Sequence, residues 1–206
     1  MLENPIIRIS QTNSLSNYFD LYSYQKNILN NDNIINRIII TLKTNQMDYS
    51  ICESIYIYRI NSILEKNKSI ENKSSIFNFN YDDYLEDIEK VFSKIFKIFK
   101  VDGQTIILSL FLLEKVNKNG ILLNKNNIIK LGVISLIETK KFYFDDPDID
   151  GKLVCSVLKI DKDLLIKLEV NFLNLIDYKL KIDEDKFTIY KKSIMIPWID
   201  YLKSFY

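Results

Sequence analysis

The feature that most constrains this chain is a stretch near its middle that is apolar on nearly every side of a helix. Residues 131–137 are hydrophobic except for Gly132 and Ser135. They lie within residues 125–144, which Asn124 is placed to cap as a helix. A helix that is apolar all round is normally buried at the centre of a protein. The sequence therefore predicts a bundle around a buried central helix, and Gly132 indicates that another helix crosses close by.

Amphipathic segments precede and follow this central helix. Turn signals such as Asp102-Gly103 and Asn119-Gly120 separate them, and no run of alternating strands is apparent. The spacing of apolar residues predicts an all-α fold, although residues 34–40 would also suit a strand. The further helices are predicted at about residues 49–66, 82–100, 104–118, 152–158, 161–177 and, in two pieces broken at Pro197, 184–205.

The domain organisation follows from where these patterns start and stop. Residues 1–48 are predicted to form an N-terminal extension that is partly helical. Residues 49–182 form the main helical domain, interrupted by a polar loop at residues 67–75, and residues 183–206 form a C-terminal helical segment. Within the main domain, the aromatic stripe of Phe92, Phe96 and Phe99 is predicted to pack in the core.

The composition argues against several kinds of catalytic and metal site. The chain has no histidine, which removes histidine-based relays and histidine-ligated metals. Its two cysteines, Cys52 and Cys155, are too few for a zinc site or a disulfide framework. Four glycines cannot assemble a glycine-rich phosphate loop. We therefore expect a protein that is not an enzyme and that uses no cofactor and no metal.

One acidic turn resembles part of a calcium site. Asp146, Asp148 and Asp150, followed by Gly151, reproduce the first half of an EF-hand loop. The bidentate glutamate that such a loop needs at its twelfth position is replaced here by Val157. We interpret the segment as an acidic turn between two helices.

The charge balance and the apolar runs bear on partners and location. The chain carries 28 Lys and Arg against 27 Asp and Glu, a net charge of +1, which argues against nucleic-acid binding. No apolar run reaches the ~18 residues of a membrane-spanning helix. The first residues lack the pattern of a signal peptide. The expected location is intracellular, in the nucleus, the cytoplasm or both, without membrane association.

Four segments of the chain resemble the cyclin box, most closely that of the P/U-type cyclins related to the phosphate-pathway cyclins of yeast. The first segment, residues 81–88, is similar to the start of the family's box. Residues 110–115 resemble its second helix, and residues 140–146 resemble the end of its third. Residues 160–180, ending in KLEVNFLNLIDYKL, give the most specific match. The resemblance implies a five-helix cyclin box around the buried central helix, with extra N- and C-terminal helices.

The resemblance also implies a function. Cyclins bind and activate cyclin-dependent serine/threonine protein kinases as heterodimers, by packing the third and fifth helices of the box on the C helix of the kinase. In the family, a lysine near the end of the third helix and a glutamate in the fifth form a polar clamp on the kinase. The glutamate corresponds to Glu169, and Leu173, one turn later, would be an apolar anchor. The kinase-binding residues implied are Lys140, Lys141, Phe142, Tyr143, Glu169 and Leu173.

Two positions depart from the family's pattern. Counted without a gap, the clamp lysine falls on Phe142, so either the neighbouring Lys141 supplies the charge or the clamp is altered. Asp87 stands where the family has an arginine that pairs with the acid at position 114. Because Asp87 and Glu114 would repel, we expect Lys115 or another base to pair with Glu114. The alternatives to an activating cyclin are a cyclin-fold transcription or nucleic-acid adaptor and a non-activating scaffold.

Overall fold

The computed structural model describes residues 37–38, 40–41, 47–68, 75–78, 88–144 and 150–204. Within these residues all regular structure is helical, which confirms the predicted all-α class. The described residues between 37 and 41 are helical too, so the strand alternative for this segment is wrong there. The helices with defined bounds are α1 (Tyr49–Lys66), α2 (Ile88–Ile98), α3 (Gly103–Lys118), α4 (Ile128–Tyr143), α5 (Gly151–Leu158), α6 (Lys162–Leu175) and α7 (Glu184–Lys203).

Aspartates set the starts of four of these helices. Asp48, Asp102, Asp150 and Asp161 precede α1, α3, α5 and α6, and each side chain accepts a hydrogen bond from a backbone N–H in the first turn. Such caps satisfy donors that the helix leaves unpaired, and their negative charge suits the N-terminal end of the helix dipole. At its other end α3 stops at Lys118, and Gly120, which follows the last turn as the sequence predicted, has a φ of +110°.

The central position predicted for α4 is confirmed. Every residue from Ile128 to Thr139 is buried, and α4 packs against α3 on one side and α6 on another. A Cβ on Gly132 would lie 2.6 Å from the ring of Phe92, so the missing side chain at Gly132 makes room for this ring of α2. Phe92 and Phe96 are fully buried, each with its ring centroid 5.1 Å from that of Tyr56.

The C-terminal helix differs from the prediction. Residues 184–203 form one continuous helix with Pro197 inside it, so the predicted break is wrong. Pro197 cannot donate to the carbonyl of Ser193, a loss that costs about 3 kcal/mol in a helix interior. Buried side chains on both sides of the proline offset that cost and hold α7 against α1, namely Ile194, Met195, Trp198 and Leu202.

The start of the central helix differs from the prediction, and some predicted elements fall on residues that the structure does not describe. The central helix begins at Ile128, three residues later than predicted, because residues 125–127 form a turn. The predicted start of the helix near residue 82 and most of the N-terminal extension lie outside the described residues. Among the helices that are described, none combines the length and apolar character needed to cross a membrane.

Candidate docking surface

The structure brings Lys141 and Glu169 together across the junction of α4 and α6. Lys141 Nζ donates to Glu169 Oε1 at 2.7 Å. Lys141 lies in the last turn of α4, where a cation suits the helix C-terminus, and Glu169 lies in the middle of α6. The two side chains are 45% and 20% exposed, so the pair is open to solvent. The lysine that pairs with Glu169 is therefore Lys141, the neighbour of Phe142, on which the resemblance places the clamp lysine.

A third charged group, Glu138, contacts the same lysine. Its Oε1 lies 3.6 Å from Lys141 Nζ, one turn earlier on α4, and its side chain is only 7% exposed. Burial raises the pKa of the Glu138 carboxyl, and the nearby charge of Glu169 raises it further, against the opposing effect of Lys141. Glu138 was missed by sequence reasoning. Its spacing of three residues before Lys141 was the available signal.

Apolar side chains flank this charged cluster. On α6, Ile166 and Val170 are 48% and 44% exposed, which is high for large hydrophobic residues. They form one stripe beside Glu169 with Leu173, which is partly buried against the core. On α4, Phe142 follows Lys141 and is 48% exposed. We call the surface formed by Lys141, Ile166, Glu169 and Val170 the α4–α6 surface.

Lys140 and Tyr143, which the resemblance implied as kinase-binding residues, are engaged elsewhere in the fold. Lys140 Nζ donates to the carbonyl oxygen of Phe99 at 3.1 Å, just after α2. The Tyr143 hydroxyl donates to the carbonyl oxygen of Leu180 and accepts from the N–H of Ile182, both at 2.8 Å. This hydroxyl therefore fastens the segment between α6 and α7 to the end of α4. Of the six implied residues, Lys141 and Glu169 belong to the α4–α6 surface, with Leu173 at its edge, while Phe142 is exposed and its ring contacts that of Tyr143.

Glu114 is paired with a base other than Lys115, which was one of the two alternatives expected. Arg59 of α1 donates to it twice, from Nε at 2.7 Å and from Nη2 at 3.1 Å. The hydroxyl of Tyr190 on α7 donates to the same carboxylate at 3.2 Å. Lys115 instead donates to the carbonyl oxygen of Lys179. The chain holds only three arginines, and the fit of arginine to a carboxylate was the available signal for an arginine as the partner of Glu114.

The structure describes only the end of the acidic turn that contains Asp146, Asp148 and Asp150. Asp150 caps α5 by accepting from the N–H of Lys152 at 2.8 Å, a structural role. Asp146 and Asp148 lie outside the described residues. In the part of the chain that the structure covers, no three Asp, Glu, Cys or His side chains gather as a metal site would require.

A polar cleft of about 490 Å³ lies apart from the α4–α6 surface, at the C-terminal ends of α3 and α6. Asn119, Asn171, Asn174 and Asp177 contribute most of its lining. Two of these amides are used within the fold, because Asn119 donates to the carbonyl oxygen of Leu175 and Asn171 donates to a carbonyl of its own helix. The cleft contains none of the implied kinase-binding residues.

Comparison of the chain with protein-family models, with curated proteins and with solved structures finds no match.

Proposed function

We propose that this chain is a cyclin-type regulatory subunit that binds and activates a cyclin-dependent serine/threonine protein kinase. In this proposal, α2 to α6 are the five helices of a cyclin box around the buried α4. The α4–α6 surface packs on the C helix of the kinase. The observation that carries the proposal is the 2.7 Å ion pair between Lys141 and Glu169. It joins the two helices to which the resemblance assigned the clamp.

The exposed side chains of the surface support a docking role. Ile166 and Val170 leave much of their apolar area in water, and covering such area contributes about 25 cal/mol per Å². The charged pair among them would set the register of the docked helix rather than supply most of the affinity. A specific complex is expected to bury more than ~1,000 Å² in total, centred on a few such anchors.

The mechanism assigns no chemical step to this chain. Docking on the C helix would rotate it inward, complete the lysine–glutamate ion pair of the kinase and release its activation loop. The catalytic groups and the nucleotide site belong to the kinase. This chain contributes binding free energy that favours the active arrangement over the inactive one.

The test is phosphate transfer to a generic protein substrate by each cyclin-dependent kinase of the organism that encodes the chain, with and without the purified protein. We expect one kinase to gain activity. Glu169→Ala and Val170→Asp should each lower that activation at least about tenfold, which corresponds to about 1.4 kcal/mol of lost binding. Both side chains lie on the surface, so the variants should stay folded.

The matched control is Ile196→Asp on α7. Ile196 is 51% exposed, close to the exposure of Val170, but it lies on a helix outside the proposed surface. It should activate as well as the wild type. Binding without activation would favour the non-activating scaffold. A chain that binds no kinase but binds duplex DNA with a steep salt dependence would instead be an adaptor.

A further inference from the structure

The three charged groups at the junction of α4 and α6 do not balance. Two carboxylates, those of Glu138 and Glu169, share the single ammonium of Lys141, at 3.6 Å and 2.7 Å. Among the described residues, Lys141 is the only cation within ion-pair distance of either carboxylate. The cluster therefore carries one surplus negative charge beside the exposed apolar side chains of Ile166 and Val170.

This surplus charge matters when the surface is covered. Glu138 is already 7% exposed and Glu169 is 20% exposed. A partner that packs on Ile166 and Val170 would remove most of the remaining water from both carboxylates. A buried charge without a counter-charge is strongly unfavourable, and buried charges in proteins are therefore paired. The covered cluster must gain a cation or a proton.

The free acceptor atoms of the two glutamates favour a cation over a proton as the group that balances the charge. Oε1 of each glutamate faces Lys141, and no described residue donates a hydrogen bond to Oε2 of Glu138 or Glu169. A guanidinium presents donors in a planar fork that can reach two such acceptors together, and an ammonium can reach them in turn. A proton would neutralise Glu138 but would weaken its attraction to Lys141.

From this arrangement we infer that the kinase partner places a basic side chain, arginine or lysine, against Glu138 and Glu169 when it docks on the α4–α6 surface. The inference rests on the proposed function and adds the chemistry of the partner. It makes Glu138, through its charge, a residue that selects among kinases. Those with a neutral or acidic side chain at the facing position would be rejected, because the surplus charge would stay unpaired.

The experiment is isothermal titration calorimetry of the full chain with the kinase that it activates, at pH 7 and in two buffers of different ionisation enthalpy. We expect the wild type to bind without net proton uptake, because the partner's cation balances the cluster. Glu138→Gln, which removes the charge at nearly unchanged shape, should bind about tenfold more weakly and with a shallower salt dependence. Its melting temperature is measured alongside to confirm folding.

The matched control is Glu65→Gln. Glu65 also pairs with a lysine three residues away at 3.6 Å, but it lies at the end of α1. Its affinity for the kinase should equal that of the wild type.

Uptake of about one proton by the wild type would overturn the inference, and this readout needs no variant. Equal or tighter binding by Glu138→Gln would overturn it as well. Either result leaves the proposed function standing, whereas a wild type that binds no kinase removes both.

Discussion

Two ion pairs in this molecule share a nitrogen–oxygen distance of 2.7 Å but differ in exposure, in the number of hydrogen bonds and in charge balance. Arg59 and Glu114 form a bidentate pair that Tyr190 completes. Their side chains are 30% and 7% exposed. The pair of Lys141 and Glu169 uses one donor and one acceptor atom, with exposures of 45% and 20%, and a second acid lies beside it.

Burial and charge balance, not distance, distinguish the roles of these two ion pairs. The Arg59 pair joins α1, α3 and α7, with opposite charges equal in number and every carboxylate oxygen bonded. Removing either partner of a buried and fully bonded pair is strongly destabilising, because the other charge is left buried without a counter-charge. The Lys141 pair is partly screened by water, so it contributes little to stability, and its open acceptor atoms leave room for a partner.

The largest expected effect is that of Arg59→Met. It leaves the carboxylate of Glu114 buried without its counter-charge, so the free energy of unfolding should fall by about 3 kcal/mol. Urea unfolding at pH 7 measures this loss. Arg59→Lys is the control, because it keeps the positive charge but lacks the planar guanidinium that donates twice to Glu114. A loss below about 1 kcal/mol would mean that the two ion pairs are alike in stability.

A smaller effect is expected for Tyr190→Phe, which removes one hydrogen bond to Glu114. The expected loss is about 1.5 kcal/mol, the range for a bond to a charged group.

The pH dependence of Tyr190→Phe offers a second readout. Burial and the charge of Glu114 raise the pKa of Tyr190, so the folded state keeps this proton where the unfolded chain releases it. The stability that Tyr190 provides is therefore complete below about pH 10, the ordinary pKa of tyrosine, and falls above it. The loss of stability above pH 10 should be shallower in the variant than in the wild type. Identical alkaline profiles would count against the environment assigned to Tyr190.

The smallest effect on stability is expected for Glu169→Gln on the exposed pair. Removing one of two acids also relieves their repulsion, so the free energy of unfolding should change by no more than about 0.5 kcal/mol. Thermal and urea unfolding of the variant measure this. A cost as large as that of Arg59→Met would show that the exposed pair holds the fold together and is not reserved for binding.

Local patterns in the sequence predicted much of the fold. The apolar run in residues 131–137 required a buried helix, and the turn signal at Asp102-Gly103 does separate α2 from α3. Pro197 was misjudged because a local rule excludes it from helices, while the side chains that retain it there act through tertiary burial. Periodicity is a property of one segment, so it predicts elements better than it predicts their partners.

The candidate site could be predicted only in part for the same reason. Lys141 and Glu169 were named from the resemblance, yet which lysine pairs with the glutamate depends on how α4 is rotated in the bundle. Neighbouring helical residues point about 100° apart, and in the structure Lys140 reaches the carbonyl oxygen of Phe99 while Lys141 reaches Glu169. The pairing of Arg59 with Glu114 spans 55 residues of chain and has no local signature.

Trp198 gives this molecule a built-in optical reporter. It is the only tryptophan in the chain, it is fully buried, and no described group bonds its indole nitrogen. An indole in dry, apolar surroundings emits at shorter wavelength than one in water, so intrinsic fluorescence will follow the departure of α7 from the core. The α4–α6 surface lies on other helices, and a ligand that covers it without loosening α7 will leave the emission unchanged. The same signal can therefore tell variants that unfold from variants that only fail to bind.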